Sequence, residues 1–376
     1  YSRARQKDSS NLSAALASGE PLYSLHTAQL TVSYVPDVFG LNRRTRESLQ
    51  AQAEAQRHQL DAAYSSLAAN VVSAVIQEAT LKAQIAANAA IIQTNRQALE
   101  ILRRQVEWGA ASGVDIAMQE SALAQAEQVL PPLTKQLEQT RNLLAVLVGK
   151  LPTQGGAENF DLDTIRLPAE LPISVPSQLV ERRPDVRAAE ARLHAASAEV
   201  GVAVANRLPQ FSIVGIRGGS ATHFEDMFRD GNPFWSLTGS VAQTLFDFGT
   251  LKHRQKAAEA ALDQAGADYR SVVLTAFENV ADSLYALNAD AQSVTASTQA
   301  EAAAKRTLDL TRHQLELGAV NALTLYTAEQ AYQQARSARI QAESARYTDT
   351  AALFLALGGT WMDGGHRNPL SVDAAN

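Results

Sequence analysis

Between Leu41 and Trp108 the chain contains neither glycine nor proline. Ala, Gln, Leu, Arg and Glu fill the stretch, so it predicts one uninterrupted helix of roughly 100 Å at about 1.5 Å per residue. A globular core cannot enclose a helix of that length. Leu60, Tyr64, Leu67, Val71, Ala74, Glu78, Leu81, Ile85, Asn88, Ile92, Asn95, Leu99, Leu102 and Val106 step alternately by four and three. That spacing keeps a period of about 3.5 residues through many turns, with three polar interruptions, and such a seam requires a helical partner. The sequence supplies one. Trp108-Gly109-Ala110-Ala111-Ser112-Gly113 reads as a turn, and a second helix starting near Asp115 closes a long antiparallel hairpin.

Composition narrows the classes. Apolar residues make up 46% of the 376, but alanine carries much of that share, which suits close helix packing rather than a thick core. With 33 basic against 39 acidic side chains, a nucleic-acid surface is not expected. There is no cysteine, which excludes disulfides, thiolate metal sites and a cysteine nucleophile. No run of apolar residues reaches the length of about 18 that a membrane-spanning helix needs.

Alternation appears on either side of the helical regions. Ala28, Leu30, Val32 and Tyr34 share one face of a predicted strand and Gln29, Thr31 and Ser33 the other, until Pro36 and Gly40 end it. Phe234 to Phe246 repeats the pattern, with Trp235, Leu237, Gly239, Val241 and Leu245 opposite Ser236, Thr238, Ser240 and Thr244. A third strand follows Pro209, with Phe211, Ile213 and Gly215 against Ser212, Val214 and Ile216. Phe39-Gly40 and Phe248-Gly249 lie 209 positions apart, and so do Gln105-Val106-Glu107-Trp108-Gly109-Ala110 and Gln314-Leu315-Glu316-Leu317-Gly318-Ala319. The same offset joins Glu120 to Glu329 and Gly149 to Gly358. An unchanged register over so long a span marks two copies of one unit: strand, long helix, turn, returning helix.

The second long helix is expected over Thr250 to Leu317, with Gly266 its one compositional break, and a helix is expected from Ser177 to Arg207. In the first returning helix, Leu123, Leu130, Leu137 and Leu144 lie seven apart, and Pro131-Pro132 is expected to interrupt it. The resulting division is a first repeat over 1–150 lacking its leading helix, a linker over 151–176, a second repeat over 177–360 and a tail over 361–376. The first copy's leading helix would precede Tyr1, so the chain is expected to lack its native N-terminal segment.

Two strands per copy give four, and four amphipathic strands cannot close a barrel alone. Lipid tolerates no unpaired backbone edge, so an open sheet must be completed by identical neighbours. Three chains supply twelve strands, an even number within the range of outer-membrane barrels. Tyr34, Trp235 and Phe246 then suit interfacial aromatic girdles. Arg43, Arg44 and Lys252, just after the two Phe-Gly pairs, suit lipid headgroups, although a solvated helix face explains them as simply.

Glu181-Arg182-Arg183-Pro184-Asp185-Val186-Arg187-Ala188-Ala189-Glu190, the Phe-Gly junctions, Leu130-Pro131-Pro132-Leu133 and the paired Gly-Ala turns resemble the TolC-type outer-membrane efflux proteins. Within these, the chain looks like the NodT subgroup of channel lipoproteins that serve resistance-nodulation-division pumps. The resemblance implies a mainly α fold with a small β part. Long helical hairpins would form a periplasmic α-barrel, and four transmembrane strands per protomer would form a twelve-stranded barrel in a homotrimer. It implies an outer-membrane location with most of the chain in the periplasm, a lipid anchor in the missing N-terminal segment, and two partners, a periplasmic adaptor and an inner-membrane transporter.

The resemblance also assigns roles. Trp108-Gly109-Ala110 and Leu317-Gly318-Ala319 match the family's adaptor-contacting tip, though glycine there is also a good helix stop. Asp115 matches an acidic tip position and is a candidate for the constriction, beside its plain reading as an N-terminal helix acid. Thr324 and Thr327 stand where the family often carries aspartate, so Leu323 and Tyr326 are the candidates to narrow the pore by bulk. No catalytic site, metal site or cofactor is expected, because the seven histidines are scattered and no phosphate-binding loop or nucleophile elbow appears. The expected function is the passive exit duct of a tripartite efflux pump. The alternatives are a protein-secretion duct of the same fold and a soluble coiled-coil adaptor or scaffold.

Overall fold

A computed structural model describes residues 26–154, 160–167, 181–221 and 223–359. The elements run β1 (His26–Tyr34), α1 (Leu41–Glu107), α2 (Gly113–Leu147), α3 (Pro184–Ala205), β2 (Gln210–Ala221), β3 (Pro233–Ala242), α4 (Thr250–Glu316) and α5 (Ala322–Ala356). α1 and α4 are each 67 residues without a break, and α2 and α5 are each 35, so the repeat is reproduced to the residue. The expected lead-in over Tyr1–Glu20, much of the linker, the tail and the lipid anchor lie outside the described residues; the helix expected from Ser177 begins instead at Pro184, whose fixed φ suits a first helical position.

Compactness and repetition divide the chain along different lines. One unit joins Tyr1–Glu54 to Ala191–Ala267, and the other joins Ala55–Glu190 to Asp268–Asn376. The first unit holds an antiparallel sheet in the order β1-β2-β3. Leu30 pairs with Arg217 and Arg217 with Trp235, while Val32 pairs with Gly215 and Gly215 with Leu237, so the apolar positions of the strands share one face. That face is open, with Leu30 70%, Trp235 77% and Leu237 69% exposed. On the other face Ser212 and Ser240 hydrogen bond at 2.7 Å. The described residues contain three strands, and the fourth that the repeat leads one to expect is not among them.

β3 ends at Ala242, not at Phe246 as the alternation suggests, because its partner β2 begins opposite at Gln210. Pro209 precedes Gln210 and has no N–H to extend the ladder. A second correction concerns α2, which runs through Pro131 and Pro132 without interruption. The prolines leave the carbonyls of Glu127 and Gln128 without helical donors. All four residues are exposed, so water replaces the lost bonds.

The second unit is built from the hairpins. The α1 seam is buried here at Ala74, Glu78, Leu81, Asn88, Ile92, Asn95, Leu99 and Leu102. Its three polar interruptions are all engaged. Glu78 pairs with Arg141 at 3.2 Å, Asn88 donates to the Ala126 carbonyl at 2.9 Å, and Gln119 donates to Asn95 Oδ1 at 3.1 Å. Nearer the N-terminus of α1 the same seam is uncovered, with Leu60 46%, Tyr64 42% and Leu67 40% exposed.

The Glu-Arg-Arg-Pro-Asp motif fastens the second hairpin. Buried Arg183 donates to the Ala356 carbonyl at 3.0 Å, at the end of α5, and pairs bidentately with Asp185 at 3.0 and 2.6 Å. Leu162, from a short turn before α3, packs with Ala79, Ala87 and Ile340. Lys82 donates to the nearby Phe160 carbonyl at 3.2 Å.

Candidate functional site at the hairpin turns

Both turns stop a long helix by the same device. Gly109 (φ 73°) and Gly318 (φ 69°) adopt the left-handed conformation, which glycine reaches without Cβ strain. The Ala110 amide donates back to the Gln105 carbonyl and the Gly109 amide to Val106, at 2.8 and 2.9 Å. Ala319 to Gln314 and Gly318 to Leu315 repeat this at 2.8 and 3.0 Å, the doubled bond of a Schellman stop. A Cβ added at either glycine would meet nothing within 4 Å, so both turns face open space. The residues before them are equally open, with Trp108 79% and Leu317 70% exposed.

The returning helices begin differently. Ser112 caps α2 in a reciprocal box: the Asp115 amide donates to Ser112 Oγ at 3.3 Å, and the Ser112 amide donates to Asp115 Oδ2 at 2.8 Å. The Ser112 amide, and then its hydroxyl, hold the Asp115 carboxyl below the usual carboxylate range. In the second copy, Asn321 Oδ1 accepts from the Thr324 amide at 3.0 Å and from the Thr324 hydroxyl at 2.8 Å. Thr324 thus occupies the position of Asp115 and completes a cap without a charge.

The other constriction candidates sit on the first turns of α5. Leu323 is exposed, and the Thr327 hydroxyl donates to the Thr324 carbonyl at 2.9 Å. The Tyr326 hydroxyl donates to Gln125 Oε1 at 3.2 Å and accepts from Gln330 at 2.6 Å, linking α5 to α2. Asp115, Thr324 and Tyr326 are therefore all engaged within the turn region.

One group here was not singled out from sequence. Glu329 is 4% exposed and both its carboxylate oxygens are buried without a hydrogen-bond partner. Arg312 lies 3.6 Å away, beyond hydrogen-bond length. Burial pushes the Glu329 carboxyl up, and Arg312 pulls it back in part. Its counterpart Glu120 is exposed and paired with Arg103 at 3.0 Å. The offset of 209 identifies the two as equivalent but says nothing of their burial.

In the sheet unit, Tyr34 closes β1 and Trp235 is the third residue of β3, both exposed. Phe246 lies beyond the strand, its ring 4.5 Å from that of Phe248. Arg44 pairs with Glu47 at 2.7 Å, the Arg43 guanidinium lies over Gly40, and Lys252 is exposed. Asp37, not identified from sequence, caps α1 by accepting from the Asn42 and Arg43 amides at 2.9 and 2.8 Å.

Comparison with known proteins adds three findings. A family model described as outer membrane efflux protein matches residues 1–150 and 175–359. The pyoverdine export outer membrane protein OpmQ of Pseudomonas putida is 29% identical over 350 residues, covering 92% of this chain and 73% of that protein. Outer membrane protein OprJ of Pseudomonas aeruginosa is 28% identical over 364 residues, 96% of this chain and 75% of its own. Among solved structures, the outer-membrane channel OprN superposes with a TM-score of 0.83 at 25% identity, covering 90% of this chain and 82% of that one. VceC from Vibrio cholerae shares the fold, with a TM-score of 0.79 at 22% identity over 90% of this chain and 87% of its own.

Proposed function

The chain belongs to the outer membrane efflux protein family, and from that premise we propose that it works as a homotrimeric exit duct receiving small molecules from a periplasmic adaptor and an inner-membrane resistance-nodulation-division transporter. It is an outer-membrane efflux channel and not an enzyme. The observation that supports the trimer is the sheet of the first unit: open-edged among the described residues, with one side presenting exposed Leu30, Val32, Tyr34, Trp235, Leu237 and Val241. In lipid such a face is stable but such an edge is not, so copies of the chain must close it. The two strands per copy that the repeat leads one to expect give twelve per trimer, an even number that suits a barrel. Tyr34 and Trp235 then lie near the two headgroup levels, with Phe246, Arg43, Arg44 and Lys252 beyond the strands on the periplasmic side.

The turns Trp108-Gly109-Ala110 and Leu317-Gly318-Ala319 are the adaptor contact in this reading. Their two left-handed stops leave open space over the glycines, flanked by exposed Trp108 and Leu317. Asp115, Leu323, Thr324, Tyr326 and Thr327, on the turns that follow, narrow the duct in its closed state. Adaptor docking favours the open state by binding it better. Small-molecule cargo is preferred to secreted protein because the relatives are named for pyoverdine, toluene and antibiotic export.

The test is single-channel conductance of the full-length protein in planar bilayers, with its mass in detergent. A conducting trimer is expected; a water-soluble monomer without conductance overturns the reading. G109E and G318E, which put charge where open backbone lies, are expected to cut export at least about tenfold while trimers persist. Unchanged export would refute the tip assignment.

A further inference from the structure

The open apolar face of the sheet carries a single permanent charge. Of the side chains that β1, β2 and β3 place on the same side as Leu30 and Trp235, Arg217 alone is a cation, among the described residues. It is exposed and has no ion-pair or hydrogen-bond partner there. Hydrocarbon disfavours a lone guanidinium on a lipid-facing strand, so such a residue is kept where it meets an anion. In the barrel reading Arg217 lies level with Trp235, its direct neighbour on β3, and so at the headgroup boundary.

Arg217 stands in a groove that runs along β2. On its own strand the positions before and after it on this face are Gly215 and Gly219, which have no side chains. Leu30 and Val32 wall the groove from β1, Trp235 and Leu237 from β3. Toward the end of the sheet that joins the helices the groove is open, since a Cβ at Gly215 would meet only Leu237 Cδ1 at 3.8 Å and the Val32 carbonyl at 4.0 Å. Toward the far end it is shut. A Cβ at Gly219 would collide with the Met227 carbonyl oxygen, because the loop between β2 and β3 folds back over this face. Met227 is buried by that fold, while Phe224, edge-on to the His26 ring at 6.3 Å, and Phe228 stay exposed. Of the loop's acids, Asp226 is engaged by Arg229 at 2.6 Å, and exposed Glu225 and Asp230 do not pair with Arg217.

We propose that this groove binds a phosphorylated glycolipid of the outer leaflet, the lipid A portion of lipopolysaccharide. Arg217 holds a headgroup phosphate through its fork of N–H donors. One acyl chain lies over Gly215 between Val32 and Leu237, and the exposed rings of Phe224 and Phe228, just beyond the cation, suit the apolar faces of the sugars. The direction of the groove selects the leaflet: cation at the end far from the helices, apolar trough running toward the bilayer centre. A lipid of the inner leaflet would lie the other way round. The inference rests on the reading of the sheet as part of an outer-membrane barrel, and adds which lipid that barrel selects.

The test uses the full-length trimer in detergent, with purified lipid A as probe and its binding followed by native mass spectrometry. Wild type is expected to bind lipid A, and to bind at least about tenfold more weakly when the probe lacks its phosphates. R217Q removes an exposed, unpaired side chain, so it should trimerise and conduct as wild type does while losing the preference for the phosphorylated probe. G215L, whose Cβ has ordinary clearance, fills the trough and should weaken binding at least about threefold. Phosphatidylglycerol, which has the phosphate without the sugars, should bind wild type at least about tenfold more weakly than lipid A does. Equal lipid A binding by R217Q and wild type overturns the site, and so does equal binding of the two lipids. Loss of the trimer in R217Q also overturns it, since Arg217 is then a contact between copies. A wild-type trimer that conducts but binds no lipid A overturns this inference alone, whereas a water-soluble monomer without conductance overturns the barrel reading beneath it as well.

Discussion

The two hairpins share a backbone and differ in what fills it. Each pairs a 67-residue helix with a 35-residue one through the same doubled hydrogen bond at a left-handed glycine. Yet the first is fastened by polar groups in its seam, Glu78 to Arg141 and Asn95 to Gln119, where the second has Leu287, Thr350, Ala304 and Ala328. Features that the main chain dictates have been kept in both copies. Features that need two side chains to agree have diverged, because an ion pair and an apolar pair fill similar space and either can close a hairpin.

The sharpest way to break the comparison is to take one partner from the first hairpin. Glu78 is 1% exposed and its Oε2 is buried without a hydrogen bond, so it depends on Arg141 and on Lys82 at 3.7 Å. R141A leaves that charge under-compensated and should cost about 3 kcal/mol, read as a fall in the melting temperature of the detergent-solubilised trimer. The double exchange E78L/R141T installs the second hairpin's residues and should recover that loss or exceed it. If the double variant is as unstable as R141A, the copies are not interchangeable and the equivalence by offset is structural only at the turns.

A smaller effect is expected where the second hairpin is the one under strain. Glu329 has a folded-state pKa raised by burial, so the native state holds its proton more tightly than the unfolded chain does. Stability is then greatest below the unfolded carboxyl value of about 4.3 and declines as pH rises through the folded value. E329Q removes the ionisation and should stabilise the trimer by about 1 kcal/mol at pH 7, with the advantage shrinking toward pH 4. E120Q, at the exposed counterpart, should change stability by less than about 0.5 kcal/mol at either pH.

These contrasts also separate what the sequence makes legible from what it does not. Helix length, the turns and the repeat were readable because each follows from a local rule: no breaker between Leu41 and Trp108, glycine at the stop, one constant offset. The end of β3 was not, since it depends on Pro209 in a different strand segment running out of donors. Nor was the continuity of α2, because whether water can take up the carbonyls that proline frees depends on exposure, a tertiary property. The offset paired Glu329 with Glu120 but did not reveal its burial, which depends on packing beside Arg312 on another helix.

The smallest effect tests the caps, and it separates the copies by pH alone. S112A and N321A each remove the acceptor of a first-turn amide, and each should cost about 1 kcal/mol at neutral pH. The Asp115 carboxyl is held low by accepting from Ser112, so its contribution is present above the unfolded value of about 3.9 and disappears as pH falls through the lower folded value. The Asn321–Thr324 cap contains no group that titrates there. D115T, which gives the first cap the second's hydroxyl, should therefore match wild type within about 0.5 kcal/mol at neutral pH and lose less on acidification. Hydrogen exchange of the α2 first-turn amides between neutral and strongly acidic solution reads this directly. Equal acid sensitivity at the first turns of α2 and α5 would mean that the two caps owe their strength to the backbone and not to the side chains that distinguish them.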